Sequence, residues 1–143
     1  MRVSQISVFL ENKSGRLAEV TRALADKGIN IRALCIAETI DYGVLRLIVS
    51  DPAAAKRVLG DGGFTVTETD VLVLEIPDRP GGLATAIERL SEKGINIEYI
   101  YAFVTKSGEN ANVVFRLEKI EQAAKLLADA GFRLLTGDQV YRI

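Results

Sequence analysis

The sequence contains no histidine and only one cysteine, Cys35, among its 143 residues. Zinc and copper sites usually need histidine or several cysteines, nucleophile–histidine pairs need histidine, and an internal disulfide needs two cysteines. Most metal chemistry and most acyl-transfer chemistry are therefore excluded, and we expect no enzyme activity, no metal and no cofactor. We interpret Cys35 as a buried small hydrophobe rather than a redox centre, because free cysteine is among the most buried residue types.

Long apolar runs, a basic leader and an excess of charge are missing as well. No stretch reaches the length of about eighteen apolar residues that a membrane-spanning helix needs, and no basic-then-apolar segment opens the chain. The net charge of -1 and the pI near 5.6 provide no general attraction to nucleic acid or to an anionic membrane. We therefore expect a cytoplasmic protein with neither of these partners.

The sequence does contain an internal repeat. The segment from Asn12 to Ile31, NKSGRLAEVTRALADKGINI, returns from Asp78 to Ile97 as DRPGGLATAIERLSEKGINI, and matching positions such as Gly15 and Gly81 lie 66 residues apart. Similarity at a fixed spacing indicates one structural unit that is built twice. We predict two domains, residues 1–68 and 69–143, each so small that its core is marginal without the other.

Alternation of apolar residues and turn signals predict the same order of elements in both copies. Gly28 is a helix stop after Lys27, Asp51 is a helix N-cap before Pro52, and a hairpin turn is expected at residues 41–43. In the first copy we predict strands at 3–10, 31–37, 44–49 and from 64, with helices between Leu17 and Lys27 and from Pro52 to Leu59. In the second copy we predict strands at 71–76, 97–104, 112–117 and from 132, with helices at 83–93 and 120–130. This order predicts an α+β fold of two tandem ferredoxin-like βαββαβ units. Almost no linker is expected between them, because the last strand of the first copy gives way at residues 68–70 to the first strand of the second.

The strands should have two apolar faces, because both sets of alternate positions are hydrophobic. The helix-covered face is expected to hold Ile6, Val8, Leu34, Ile36, Leu45 and Leu47, with Leu72, Leu74, Ile100, Ala102, Val113 and Phe115 in the second copy. The opposite face is expected to hold Phe9, Ala33, Cys35, Ala37, Val44 and Ile48, with Val71, Val73, Tyr99, Tyr101, Phe103 and Val114. A second face this apolar indicates an interface, between repeats or between chains, so we expect a homo-oligomer that is at least a dimer.

The repeated turn and helix exit resemble those of the ACT domain. An N/D-x-x-G-x-L turn joins the first strand to the first helix of each copy, through Asn12, Gly15 and Leu17 and through Asp78, Gly81 and Leu83. A G-I-N-I exit then joins that helix to the second strand at residues 28–31 and 94–97. The resemblance implies a regulatory module that binds a small ligand, usually an amino acid, between paired domains. It is nearest to the free-standing tandem members, which would act on a separate enzyme of amino-acid metabolism.

The chemistry of these turns also suits a ligand. The first N–H groups of a helix lack intrahelical partners and carry the positive end of the helix dipole, so they can bind a carboxylate. Glycine at 15 and 81 lets a ligand approach the backbone, and Gly82 is expected to widen that opening in the second copy. Asp78 could pair with an ammonium group, and Arg16 could cover a carboxylate or point to solvent. The candidate ligand-binding residues are Asn12, Ser14, Gly15, Arg16, Leu17, Asn30, Ile31, Asp78, Gly81, Gly82, Leu83, Asn96 and Ile97.

Two alternatives to an amino-acid sensor stay open at this point. The same residues could be purely structural, with Asn12 and Asp78 capping the turn and Asn30 and Asn96 bonding the local backbone; the chain would then be an oligomerisation module. The ferredoxin-like fold is also compatible with an enzyme or an RNA-binding protein, because a fold alone does not determine function. An RNA-binding sheet, however, carries aromatics on its central strands with basic flanks, which this acidic sequence lacks.

Overall fold

The computed structural model describes residues 2–105 and 108–143, and it contains two compact units. The N-terminal unit comprises Ser4–Thr69 and Tyr141–Ile143, and the C-terminal unit comprises residues 2–3 and Asp70–Val140. Each unit is an antiparallel sheet with helices, which confirms the predicted α+β class. The domain limits 1–68 and 69–143 stay a prediction, because compactness does not show that either half folds alone. None of the described helices has the length and apolar character needed to cross a membrane.

The N-terminal unit follows the predicted order of elements. Its elements are β1 (Val3–Glu11), α1 (Arg16–Asp26), β2 (Ile31–Glu38), β3 (Tyr42–Val49), α2 (Pro52–Asp61) and the first part of β4 (Thr65–Pro77). Strand β3 lies between β1 and β2 and is antiparallel to both, so Leu47 stands opposite Ile6 on β1 and Leu34 on β2. The hairpin between β2 and β3 bends at residues 39–41, two residues before the predicted turn.

The predicted ends of the helices are confirmed by their local geometry. The carboxylate of Asp51 accepts a hydrogen bond of 3.0 Å from the backbone N–H of Ala54, and Pro52 occupies the first position of α2. Gly28 follows α1 with a φ of 69°, in the left-handed region that favours glycine. These signals depend only on neighbours in sequence, and the sequence therefore predicts them well.

The C-terminal unit repeats the order and adds one element. It contains the remainder of β4, then α3 (Gly82–Glu92), β5 (Ile97–Ala102), β6 (Asn110–Leu117), α4 (Ile120–Asp129), β7 (Arg133–Leu135) and α5 (Gly137–Tyr141). The strand order is β5-β6-β4-β7, and every pair is antiparallel. The predicted last strand has only three residues, because the chain turns into the unpredicted helix α5, where the amide of Gln139 caps the backbone N–H of Thr136 at 2.9 Å.

Strand β4 is continuous from Thr65 to Pro77, so the two strands predicted on either side of residues 68–70 are one strand. None of Glu68, Thr69 and Asp70 is a glycine or proline that would interrupt an extended backbone. One strand therefore contributes to both units. Its first part packs Val66 against the N-terminal core, and its second part places Leu72 and Leu74 in the C-terminal core.

The helix-covered face is predicted correctly except at the outer strands. Leu34 and Ile36 are exposed, although they stand opposite the buried Leu47 and Leu45. On the outermost strand β2 only Ile31, at its start, packs against the N-terminal core. Ala102, at the end of the outer strand β5, is exposed too. The residues of this face that are buried are Ile6, Val8, Leu45, Leu47, Leu72, Leu74, Val113 and Phe115.

The opposite face carries the predicted apolar residues together with the buried polar residues Gln5, Ser7 and Asn112, and burial varies along the strands. Ala33, Ile48 and Val114 are fully buried, whereas Phe9 is exposed. Cys35 is half-buried, so its interpretation as a buried hydrophobe is only partly correct. The prediction that this face forms an interface, between repeats or between chains, stays a prediction.

Candidate functional site

The two helix N-termini predicted to bind a ligand both begin at a glycine in the left-handed region. Gly15 has a φ of 92° and Gly81 a φ of 87°, at the N-caps of α1 and α3. No side chain caps either helix. The N–H of the first helical residue donates to a backbone carbonyl, from Arg16 to Lys13 at 3.4 Å and from Gly82 to Arg79 at 3.0 Å, so the donors left at the positive end of the dipole are those of the next positions. A Cβ at Gly15 or Gly81 would meet no atom within 4 Å, so the space beside each glycine is open. This arrangement can bind a carboxylate.

Gly82 does not widen the second opening, contrary to the prediction. It is buried, and a Cβ placed on it would lie 2.1 Å from the carbonyl oxygen of Pro77. Its backbone N–H donates to the carbonyl oxygen of Arg79 at 3.0 Å. Gly82 is therefore required by the close approach of the chain to itself, and it offers no extra room to a ligand.

Arg16, at the matching position of α1, lies in a cluster of charged side chains. Its guanidinium contacts the carboxylates of Glu19 at 3.1 Å and Glu11 at 3.4 Å, and Lys13 contacts Glu11 at 2.7 Å. The hydrogen bond and charge of Lys13, followed by the charge of Arg16, lower the pKa of the Glu11 carboxyl. The positive charge of Arg16 is thus already shared between two carboxylates. A ligand carboxylate would have to compete with both.

The turn that leads into each helix is tied to the neighbouring hairpin. Asn12 donates from its backbone N–H to the carbonyl oxygen of Asp41 at 3.0 Å and from its side chain to that of Ile40 at 3.1 Å. In the second copy the backbone N–H of Asp78 donates to the carbonyl oxygen of Glu109 at 3.1 Å. These bonds support the structural alternative for Asn12, whose amide nitrogen is used within the chain.

The two asparagines at the helix exits differ in their surroundings. The side-chain oxygen of Asn30 accepts from the backbone N–H of Ile31 at 3.0 Å, and the backbone N–H of Asn30 donates to Ser50 Oγ at 2.9 Å. Asn96 and Ile97 line a hollow of about 370 Å³ at the C-terminal end of α3. Asn96 is exposed, and its carbonyl oxygen accepts from the N–H of Glu118 at 3.3 Å.

The remaining predicted residues occupy the same turns. Ser14 and Leu17 are exposed, and Leu83 is half-buried against the C-terminal core. Within a unit, the glycine turn and the asparagine lie at opposite ends of one helix. Eleven helical residues span about 16 Å, which is too far for one amino acid to touch both ends. A single ligand can therefore contact both kinds of residue only where two domains or two chains meet.

A hollow of about 170 Å³ beside the N-terminus of α1 brings several predicted residues together. Asn12, Arg16 and Leu17 line it, together with residues that the sequence analysis did not select: Leu10, Glu11, Lys13, Ile36, Glu38 and Gly43. A cleft of about 410 Å³ shares Leu10, Glu11 and Arg16 with this hollow and is lined further by Phe9, Tyr42, Gly62, Gly63, Phe64 and Thr65.

Glu11 and Lys13 are the functional candidates that the sequence analysis missed. Both flank Asn12, so their position next to the repeated turn was the available signal. The second copy has Pro77 and Arg79 at the matching positions, so the charged pair is particular to the first copy. The two turns therefore offer chemically different surroundings to a ligand.

Within residues 2–105 and 108–143, no three side chains of the Cys, Asp or Glu type are grouped so that they could hold a metal ion. The expectation that the protein needs no cofactor stays a prediction.

Comparison with known proteins identifies the family. The family of ACT domain pairs matches residues 1–142. The crystal structure of protein BT0572 from Bacteroides thetaiotaomicron is 44% identical, covers 100% of this chain and 98% of its own, and superimposes with a TM-score of 0.94. No curated protein sequence matches.

More distant structures share the fold. The ligand-free regulatory subunit of aspartate kinase from Thermus thermophilus is 20% identical, with a TM-score of 0.65 over 89% of this chain and 91% of its own. Aspartokinase III of E. coli, in complex with lysine and aspartate, is 19% identical, with a TM-score of 0.52 over 90% of this chain and 31% of its own. From the family match over nearly its whole length, with a repeated glycine turn at the start of α1 and α3, we conclude that the chain belongs to the ACT domain family as an ACT domain pair.

Proposed function

We propose that this protein is a non-catalytic regulator that binds an amino acid and acts on a separate enzyme of amino-acid metabolism. The observation that carries the proposal is the pair of uncapped helix N-termini at Gly15 and Gly81, each beside open space, in a chain that is an ACT domain pair. These backbone donors suit the carboxylate that all amino acids share. Aspartokinase III of E. coli, which contains the same fold, has been crystallised with lysine and aspartate.

The proposal includes a homo-oligomer in the cytoplasm. Because the glycine turn and the asparagine of one unit lie about 16 Å apart, a ligand that uses both needs a second domain or a second chain. Binding would then favour one pairing of domains over another, and this difference is what a partner enzyme would sense. The ligand would thus act by changing how the domains assemble, and not by taking part in a reaction within the chain.

A calorimetric screen of the twenty amino acids against the dialysed protein tests this function. One or a few amino acids should bind, and each should raise the melting temperature, because a ligand that binds only the native state stabilises it. If no amino acid releases or absorbs heat or shifts the melting temperature, the sensor proposal is wrong.

A second candidate function is an oligomerisation module that binds no ligand. The hydrogen bonds of the Asn12 side chain to Ile40 and of Asn30 to Ile31 favour it, because both side chains already serve the backbone of their own unit. This candidate predicts assembly without any response to amino acids. The same screen, combined with sedimentation, separates the two.

A further inference from the structure

The cleft of about 410 Å³ beside Glu11 and Arg16 has aromatic walls. Phe9, near the end of β1, and Tyr42, at the start of β3, line it with 44% and 53% of their surface exposed. Phe64, just before β4, is a third aromatic wall. Ligand sites are typically concave, about 300 to 1,000 Å³ in volume, and lined by aromatic and apolar side chains with a few polar groups. The cleft has the size and the lining of such a site.

The repeat and the strand register identify the matching positions of the C-terminal unit. Glu75 lies 66 residues after Phe9, at the spacing of the repeated glycine turns. Tyr42 and Asn110 each stand opposite the residue two positions further along that strand. A left-handed glycine, with a φ of 87° or 89°, lies two residues before each member of the third pair. Three pairs of positions thus match: Phe9 and Glu75, Tyr42 and Asn110, and Thr65 and Arg133.

In the C-terminal unit these three positions hold polar side chains that bond to one another. The guanidinium of Arg133 contacts the carboxylate of Glu75 at 2.8 Å, and the side-chain amide of Asn110 donates to the same carboxylate at 3.3 Å. Only 8% of the Glu75 side chain is exposed, so this cluster closes its part of the unit. Phe9 has no polar group that could take part in such a cluster. The first copy therefore presents open aromatic walls where the second copy is closed by an ion pair.

The two charged residues of the cleft suit a zwitterion. Glu11 and Arg16 contact each other at 3.4 Å, the longest of the contacts in this charged cluster. A zwitterion can replace that contact, because its ammonium group can pair with Glu11 while its carboxylate pairs with Arg16. Each side chain keeps its shorter contact, Glu11 with Lys13 at 2.7 Å and Arg16 with Glu19 at 3.1 Å. An α-amino acid thus enters without leaving either charge unpaired, which a simple carboxylate cannot do.

We propose that this cleft is a further ligand site, in the N-terminal unit only, and that it binds an aromatic amino acid. The aromatic ring packs against the aromatic walls, and the ammonium and carboxylate groups pair with Glu11 and Arg16. A ring gains more here than an aliphatic side chain of equal area, because aromatic pairs stabilise beyond the area that they bury. Neither Gly15 nor Asn30 lines the cleft, so this site is separate from the one at the helix N-terminus. It rests on the proposed function only in the premise that the protein binds amino acids.

Calorimetric titration of the full chain with L-phenylalanine tests the ligand, and L-leucine is the aliphatic comparison. Phenylalanine should bind about two- to tenfold more tightly than leucine, from the extra stabilisation of an aromatic pair. Phenethylamine and 3-phenylpropionate, which each lack one of the two charges, should bind more weakly than phenylalanine, because Arg16 or Glu11 would then lose a partner without gaining one. Equal affinities for phenylalanine and leucine would contradict the aromatic preference.

A variant that gives the first copy the ion pair of the second tests the location. Phe9→Glu combined with Thr65→Arg should weaken phenylalanine binding by about ten- to a hundredfold, because it removes an aromatic wall and fills the cleft. Both positions are exposed, so circular dichroism should show an unchanged fold. Tyr42→Ala tests another wall without adding charge and should also weaken binding. Ile40→Ala is the matched control, since Ile40 is 92% exposed in the neighbouring hairpin and does not line the cleft.

The outcomes separate this inference from the proposed function. If phenylalanine binds the wild type, the double variant and Tyr42→Ala equally well, the cleft is not its site, and the inference is wrong while the proposed function stands. The same holds if the screen finds only aliphatic or polar amino acids. If no amino acid binds at all, both are wrong. Loss of binding in the two cleft variants, with Ile40→Ala unchanged, supports the site.

Discussion

The carbonyl oxygen of Pro77 lies where a side chain at Gly82 would begin, 2.1 Å from the position of its Cβ. This contact joins the end of β4 to the first turn of α3. It shows that one glycine of the repeated turn is present for packing, whereas Gly81 beside it is present for its left-handed backbone.

Gly82→Ala should therefore destabilise the protein, by about 1 to 3 kcal/mol, because the methyl group forces the β4–α3 connection apart. Gly60→Ala is the control: a Cβ at Gly60 meets nothing within 4 Å, and in the last turn of helix α2 alanine should stabilise by about 0.4 to 1 kcal/mol. The urea concentration at the midpoint of unfolding measures the effect of each substitution on stability. Equal effects of the two substitutions would contradict the role of Pro77.

Asp51→Ala should lower the free energy of unfolding by about 0.5 to 2 kcal/mol, because it removes the 3.0 Å bond from the N–H of Ala54 and leaves that donor at the start of α2 without its cap. Asp51→Asn keeps an oxygen acceptor and should retain most of the stability. If the alanine and asparagine variants unfold at the same urea concentration, the cap contributes little.

The carboxyl of Glu11 should titrate below its ordinary value of 4.5, because Lys13 and Arg16 favour its charged form. A folded-state pKa below the unfolded one means that the contribution of Glu11 to stability is present above about pH 4.5 and is lost as the pH falls through the lowered value. Carbon-detected NMR titration of the glutamate side chains measures this. Lys13→Ala should raise the titration midpoint of Glu11 more than Arg16→Ala does, because Lys13 is the larger cause of the lowered pKa. The reverse order would contradict this ranking of the two causes.

Asn30→Ala and Asn96→Ala should weaken binding of the amino acid found in the screen by about ten- to a hundredfold, since each removes a hydrogen bond to a charged group worth roughly 1.5 to 3 kcal/mol. Ser50→Ala is the control for Asn30, because it removes the acceptor of the Asn30 N–H and leaves the amide side chain intact. Unchanged affinity in both asparagine variants, or equal losses in Asn30→Ala and Ser50→Ala, would show that these positions are structural.

The sequence alone determined the repeat, the order of elements and the helix ends. These depend on short-range signals: the alternation in β1, the cap at Asp51 before Pro52, and the glycine exit at Gly28. Each is set by the backbone preferences of a few adjacent residues, so each could be predicted without the rest of the chain. The recurrence of the glycine turn at Gly15 and Gly81 likewise located the candidate site.

Only the tertiary structure decided which of these residues are free for a ligand. Arg16 pairs with Glu11 and Glu19, and Gly82 packs on Pro77, through contacts that appear only when a strand and a helix meet. The tertiary structure also decided that Leu34 and Ile36 are exposed. Alternation correctly assigns a side chain to a face of the sheet, but burial also depends on the position of the strand, and among the described strands β2 pairs with β3 alone.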